Sequence, residues 1–281
     1  MSDFTFITRE QLFEDKEKLE SIKSRGIKAA ITDFSILLKG WVNNNHHVDG
    51  DDSLAGRTGG YFTKSNFDDF GEYVVSTLGN IIYMSKGDWE TGARPVLPFL
   101  TVDEIPTNGV SVKEKDGIKY VEYGYYPQSA AEHKLQQELE QQFDNGKINK
   151  TGNVYTHLKK YSKDEEESKI QVYEEYEYKG KRYIRVKVNS VWEDEEEIKL
   201  SNGEVYEDDE DVWIKVEPIK WLIDEKEKIM ITEKIVFAGV QFDDKKEKYH
   251  TEKFEKTNIY KFTNDIWAKE IEQVRSKRKK N

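Results

Sequence analysis

The sequence predicts an α+β protein: β-rich antiparallel sheets with an N-terminal helix, one mid-chain helix and a C-terminal helix. Three observations carry that prediction. Aromatic residues make up 12% of the 281 residues, with 16 Tyr, 13 Phe and 6 Trp, and such side chains suit half-buried pleated surfaces. Short apolar runs are separated by pairs such as Asp116-Gly117 and Asn202-Gly203, which accept the backbone of tight hairpin turns. Helical spacing of apolar residues is confined to three stretches.

The first helix opens at Thr8, where Thr8 and Gln11 fit a capping box. Leu12, Leu19 and Ile22 follow near helical spacing, and Gly26 ends the pattern. From Lys28 to Val42 the run is apolar and strand-like, with Ala29-Ala30-Ile31 and then Phe34 to Leu38. Residues 43–60 form the longest turn-rich stretch. Val74-Val75 and Ile81-Ile82 flank Gly79-Asn80 as a hairpin. The stiff segment Arg94 to Phe99 precedes Pro106 and Asn108-Gly109, which mark the principal boundary. Residues 1–108 are read as a helix plus a small β region, and 109–281 as a β-rich region with a C-terminal helix. Whether the two pack as one unit is left open.

Beyond the boundary, Val110 to Glu122 turns at Asp116-Gly117. A second helix is expected from Ser129, with Glu132 completing a capping box and Leu135, Leu139 and Phe143 on one face. Tyr173 to Tyr178 and Arg182 to Val188 flank Lys179-Gly180, and Ile198 to Tyr206 turns at Asn202-Gly203. Val212 to Val216 and Ile219 to Ile223 read as two strands separated by Glu217-Pro218, with Ile229 to Ile231 as another. Ile259, Phe262, Ile266 and Ile271 outline the last helix.

Composition narrows the function. The chain has no cysteine, so a disulfide framework, a thiolate metal site and a cysteine nucleophile are excluded. Met1 to Phe6 has neither the basic flank nor the apolar run of a secretory signal, and no apolar stretch approaches the roughly 20 residues of a membrane span. A cytoplasmic protein is expected, in the host cytoplasm if phage-encoded, with no membrane partner. The net charge of −11 disfavours direct binding to nucleic acid.

His46, His47, Asp49, Asp51 and Asp52 form a polar turn without the glutamate that a calcium loop needs. No nucleophile elbow and no phosphate loop is present, and His133, His157 and His250 stand apart. The chain is therefore read as non-enzymatic, with no catalytic residue, metal or cofactor. Its charge is clustered instead. Glu193, Asp194, Glu195, Glu196 and Glu197 form one acidic run, and Glu207, Asp208, Asp209, Glu210 and Asp211 another. Trp192, Tyr206, Trp213 and Trp221 lie nearby as strand-core aromatics or partner anchors.

Val121 to Gln128, Val216 to Ile223, Ile229 to Ile235 and Gly92-Ala93-Arg94-Pro95-Val96-Leu97 together resemble an uncharacterised family of bacterial and phage proteins. That family carries a Gly-x-Tyr-Pro-Gln turn, a Pro-Ile-x-Trp strand, a following apolar strand and an Arg-Pro-x-Leu segment. The last is similar to the closing strand of C-type-lectin-like domains of the formylglycine-generating-enzyme type. In the family the Arg-Pro segment comes last; here it comes first. The chain is thus either a rearranged domain whose halves complete each other or two domains with local resemblance. The resemblance implies a binding scaffold and a phage or mobile-element context, with no catalytic residue to carry over.

Two functions are expected from these readings. The first is a protein-interaction module whose acidic runs inhibit a bacterial defence complex by docking on the basic surface of a host protein or complex, a homo-oligomer being compatible with it. The alternative is a lectin-like ligand- or glycan-binding module, a virion component, using an aromatic pocket of Trp41, Tyr61 and Trp89.

Overall fold

The computed structural model describes residues 3–8, 11, 29–39, 58–59, 61–66, 71–75, 81–85, 92–99, 111–159, 169–188, 197–238 and 254–272. β1 (Ala29–Ala30) and β2 (Thr58–Gly59) form a small ribbon. β3 (Tyr61–Asn66), β4 (Gly71–Val75), β5 (Ile81–Ser85), β6 (Gly92–Ala93) and β17 (Phe237–Ala238) make a five-stranded sheet in the order β17-β6-β3-β4-β5. Its β3–β6 contact, Tyr61 beside Gly92, runs parallel, and its other pairings are antiparallel.

The larger sheet has eight strands. β10 (Asn149–Lys159), β11 (Lys169–Tyr178), β12 (Lys181–Lys187), β15 (Asp211–Asp224), β16 (Ile229–Thr232) and β7 (Val96–Pro98) follow one another. β9 (Ile118–Ala130) pairs with β15 and carries β8 (Lys113–Lys115). All these pairings are antiparallel. β13 (Glu197–Lys199) and β14 (Val205–Glu207) form a second ribbon. The molecule is an α+β protein. β7, which precedes residue 108, pairs with β16, and one hydrophobic core draws on both sides of that position.

Local turn chemistry accounts for much of this. Asp116 and Gly117 (φ 53° and 74°) join β8 to β9, and Lys179 and Gly180 (φ 50° and 72°) join β11 to β12. Two successive positive φ values are what a type I′ turn needs. β4 and β5 pair with Val75 opposite Ile81 and Val74 opposite Ile82, the expected hairpin. Thr8 and Gln11 exchange the capping-box bonds: Thr8 N–H donates to Gln11 Oε1 (2.8 Å) and Gln11 N–H to Thr8 Oγ1 (3.1 Å). Leu12, Leu19, Ile22, Gly26 and the turn-rich stretch with His46 and His47 lie outside the described residues.

Three expectations are corrected. The run Phe34 to Leu38 belongs to helix α1 (Asp33–Lys39). Thr32 caps it, its Oγ1 accepting the Ser35 N–H (3.2 Å), and Asp33 stands in the first turn. Phe34, Ile36 and Leu37 are all buried, and an element buried all round has no polar face to reveal its period. The second helix, α2 (His133–Asp144), begins after Glu132, which makes no side-chain cap bond. Ser129 stays in β9 because its N–H and hydroxyl both go to the Glu217 carboxylate. Finally, the two strands expected on either side of Glu217-Pro218 are one strand, β15. Val212, Ile214 and Val216 face the main core before that pair and Ile219, Trp221 and Ile223 after it, so the alternation slips phase at the bend.

The large sheet is covered on both faces. Leu135, Leu139 and Phe143 of α2 pack on Tyr176, Tyr183 and Trp213. The opposite face meets α1 and a C-terminal helix, α3, made of Asn258–Lys261, a π-helical Phe262–Trp267 and Ala268–Glu270 in succession. Asn264 in the π-helical turn bonds both backbone groups of Phe4, its Oδ1 accepting at 2.8 Å and its Nδ2 donating at 3.0 Å.

The motif segments meet in this frame. Gln128 Nε2 donates to the carbonyls of Glu217 (3.1 Å) and Pro218 (2.9 Å), which the bend would otherwise leave short of partners. Trp221 Nε1 donates to the Tyr123 carbonyl (2.8 Å). Arg94, buried at 3% exposure, donates to the Thr232 carbonyl (3.0 Å) beside β16. These residues hold strands together; the recognisable positions are scaffold.

Candidate interaction surface

The β13–β14 ribbon is pinned at its turn and acidic at its open end. Ile198 and Leu200 are buried against the main core. At the turn, the buried Asp33 of α1 accepts the N–H of Ser201 (2.9 Å), the Ser201 hydroxyl and the Ala130 N–H (2.7 Å). Asn202 Nδ2 donates to the Ala131 carbonyl (2.9 Å) and the Tyr206 hydroxyl (2.8 Å). Gly203, at φ 85°, completes the reversal. Charge-assisted bonds from a buried carboxylate are among the stronger local restraints, so the ribbon projects from a fixed base.

At the other end, Glu197 and Glu207 are paired residues. Glu197 ends the first acidic run and Glu207 begins the second, so the ribbon sets the last residue of one beside the first residue of the other. Glu193, Asp194, Glu195 and Glu196 lie outside the described residues. The second run makes the turn from β14 into β15. Glu207 N–H donates to Glu210 Oε2 (3.0 Å), and Asp209 adopts φ 66°. The turn is tied to the end of β12, with Val188 N–H donating to the Glu210 carbonyl (2.7 Å) and Asp209 N–H to the Val188 carbonyl (3.1 Å).

The five carboxylates of this run are not equivalent. Asp211 is 2.9 Å from Arg185, whose guanidinium also engages Glu140 and lies over the Phe143 ring. Asp209 faces Lys187 at 3.4 Å with both side chains exposed, a contact of small energy. Glu207, Asp208, Asp209 and Glu210 are exposed and Asp211 half-buried. Between Glu197 and Asp211 the only basic residue is Lys199.

The aromatic residues are distributed differently. Trp213 and Trp221 are buried, Tyr206 is half-buried, and Trp192 lies outside the described residues. Of the expected pocket, Trp41 and Trp89 lie outside the described residues. Tyr61 is 1% exposed, under Arg94 at 5.0 Å, and burial pushes its hydroxyl pKa up against the pull of Arg94. A ring so enclosed offers no face to a ligand.

Two histidines can be placed. His133, exposed on α2, has Nδ1 3.3 Å from Glu204, and His157 is buried between Phe34 and Phe262. His250 lies outside the described residues. Among the described residues no group of three or more His, Asp or Glu is arranged to hold a metal ion, and no helix is long and apolar enough to cross a membrane.

Sequence reasoning found the turn and the acids but missed Asp33, whose role depends on contacts 97 and 168 residues away. No protein-family model, curated protein or solved structure matches the chain.

Proposed function

We propose that this chain is a non-enzymatic protein-interaction module that presents the acidic end of the β13–β14 ribbon to the basic surface of a protein partner. The observation that carries this reading is the register of Glu197 against Glu207. It sets Glu197, the last residue of one acidic run, opposite Glu207, the first of the other, on a ribbon fixed at its base by Asp33. Concentrated negative charge on a rigid edge speeds encounter with a basic partner and rejects acidic ones. A basic nucleic-acid-binding surface of a bacterial defence complex fits that chemistry, and with the motif resemblance it gives the specific version: an inhibitor from a phage or mobile element acting in the host cytoplasm.

The test is capture from a host lysate on the immobilised chain, followed by elution with rising salt. The proposal expects a basic protein released by salt and lost on charge reversal across 193–197 and 207–211. Capture of nothing, or capture indifferent to that reversal, argues against it.

A lectin-like binding module is the second reading. It is favoured by the meeting of the Tyr-Pro-Gln, Pro-Ile-x-Trp and Arg-Pro segments on β9, β15 and β7 around one core. A glycan array with no hits, and no ligand protection of Trp41 or Trp89, counts against it.

A further inference from the structure

Among the described residues β10 ends the run of strands in the large sheet, and an end strand, once uncovered, can pair with another chain. Here the Thr156 N–H of β10 donates to the Glu270 carboxyl of α3 at 2.9 Å. Glu270 is 8% exposed, and Trp267 and Ile271 on the same helix are fully buried. The helix end is seated as well: Tyr125 N–H donates to the Ile271 carbonyl (2.9 Å), and the Tyr123 hydroxyl to Glu272.

Tyrosines of the large sheet lie around this carboxyl. Tyr126 of β9 and Tyr155 of β10 both feel its charge, and burial raises both phenols. Tyr173 of β11 adjoins Tyr126, and His157 follows Thr156 on β10. Arg182 of β12 acts on Tyr155 and stands 3.7 Å from the buried Glu175 of β11. On α3 itself, Asp265 and Lys269 are exposed. Burial raises the Glu270 carboxyl to about 7, with the Thr156 donors pulling the other way.

We propose that Glu270 is a protonation-sensitive latch, whose neutral form holds α3 across the edge of β10 and whose ionisation loosens that helix and uncovers the strand. When α3 is released into water the carboxyl returns to an ordinary value near 4.5; when α3 is closed it titrates near 7. Closing therefore takes up a proton between those values. Opening becomes easier as pH rises through that window, by up to about two orders of magnitude, and is level above it. The latch is independent of the acidic ribbon and of its partner.

Hydrogen exchange on the full chain tests this, read at amides of residues 154–158 and 259–271 from pH 4.5 to 8 and corrected for intrinsic exchange. Wild type should lose protection there by tens-fold to a hundred-fold as pH rises to 7. Glu270→Gln, which keeps a carbonyl acceptor without the charge, should show no such pH dependence. An identical profile in both proteins assigns the effect to another group, such as His157, and overturns the proposal; so does a flat wild-type profile. Should the variant not fold, carboxyl NMR of wild type decides, a Glu270 midpoint near 7 supporting the latch and one near 4.5 refuting it.

Discussion

Gly124 leaves no room for a side chain beside Ile271: a Cβ there would stand 3.0 Å from Ile271 Cβ and 3.2 Å from its Cγ1 and Cδ1. Gly124 also sits at φ +72°, where a side chain is strained. The glycine of the Gly-x-Tyr-Pro-Gln segment is thus the seat of α3. Gly124→Ala should destabilise the fold by about 2–4 kcal/mol through strain and overpacking together. Urea unfolding measures this. In a double variant with Ile271→Ala, the loss should be smaller than the sum of the single losses, because the Cγ1 and Cδ1 contacts are relieved.

Asp33 links α1, β9 and the ribbon turn by accepting from Ala130 and Ser201. Asp33→Ala leaves the buried Ala130 N–H without an acceptor and frees the partly exposed Ser201 N–H to water, and should cost about 1–3 kcal/mol, with Asp33→Asn milder because it keeps one carbonyl oxygen. Denaturant midpoints check the magnitude. Faster exchange at residues 200–203 in Asp33→Asn checks that the ribbon base is what loosens.

What the sequence disclosed follows from the range of the physics involved. The turns at Asp116-Gly117, Lys179-Gly180 and Asn202-Gly203 were readable because positive φ is a local demand that few residues meet. The exchange between Thr8 and Gln11 was readable for the same reason. Helix α1 was not, because burial on every side erased its period. Pro218 read as a strand break because its missing N–H should interrupt a ladder, yet Gln128 supplies side-chain donors to the carbonyls there. The acidic residues of the site were visible. The pairing of Glu197 with Glu207 was not, since it needs the ribbon's register and an anchor from α1.

Glu270 makes a prediction about global stability with a definite sign. Its folded value is raised, so its contribution is fully present below the unfolded value and lost as pH rises through the folded one. The stability of Glu270→Gln relative to wild type should therefore increase with pH between about 4.5 and 7, by roughly 3 kcal/mol. Paired thermal or denaturant unfolding of the two proteins at several pH values reads this difference. A difference constant with pH would show that the carboxyl titrates normally.

The exposed acidic turn from Glu207 to Glu210 allows function and stability to be separated. Glu207→Lys relieves crowding of like charge along the exposed Glu207 to Glu210 turn and should stabilise the protein by about 0.2–1 kcal/mol. Differential scanning calorimetry at low and high salt measures the gain, which should shrink as salt screens it.

The central claim, that the acidic end of the ribbon is a docking surface, meets its most direct test in one comparison. The full chain and its Glu207→Lys, Asp208→Lys variant are immobilised side by side, exposed to the same host lysate at low salt and eluted with a salt gradient. Wild type should retain a basic protein that is released as salt rises and is at least tenfold depleted on the variant, whose unfolding midpoint is no lower. Equal retention by the two proteins, or release insensitive to salt, contradicts it.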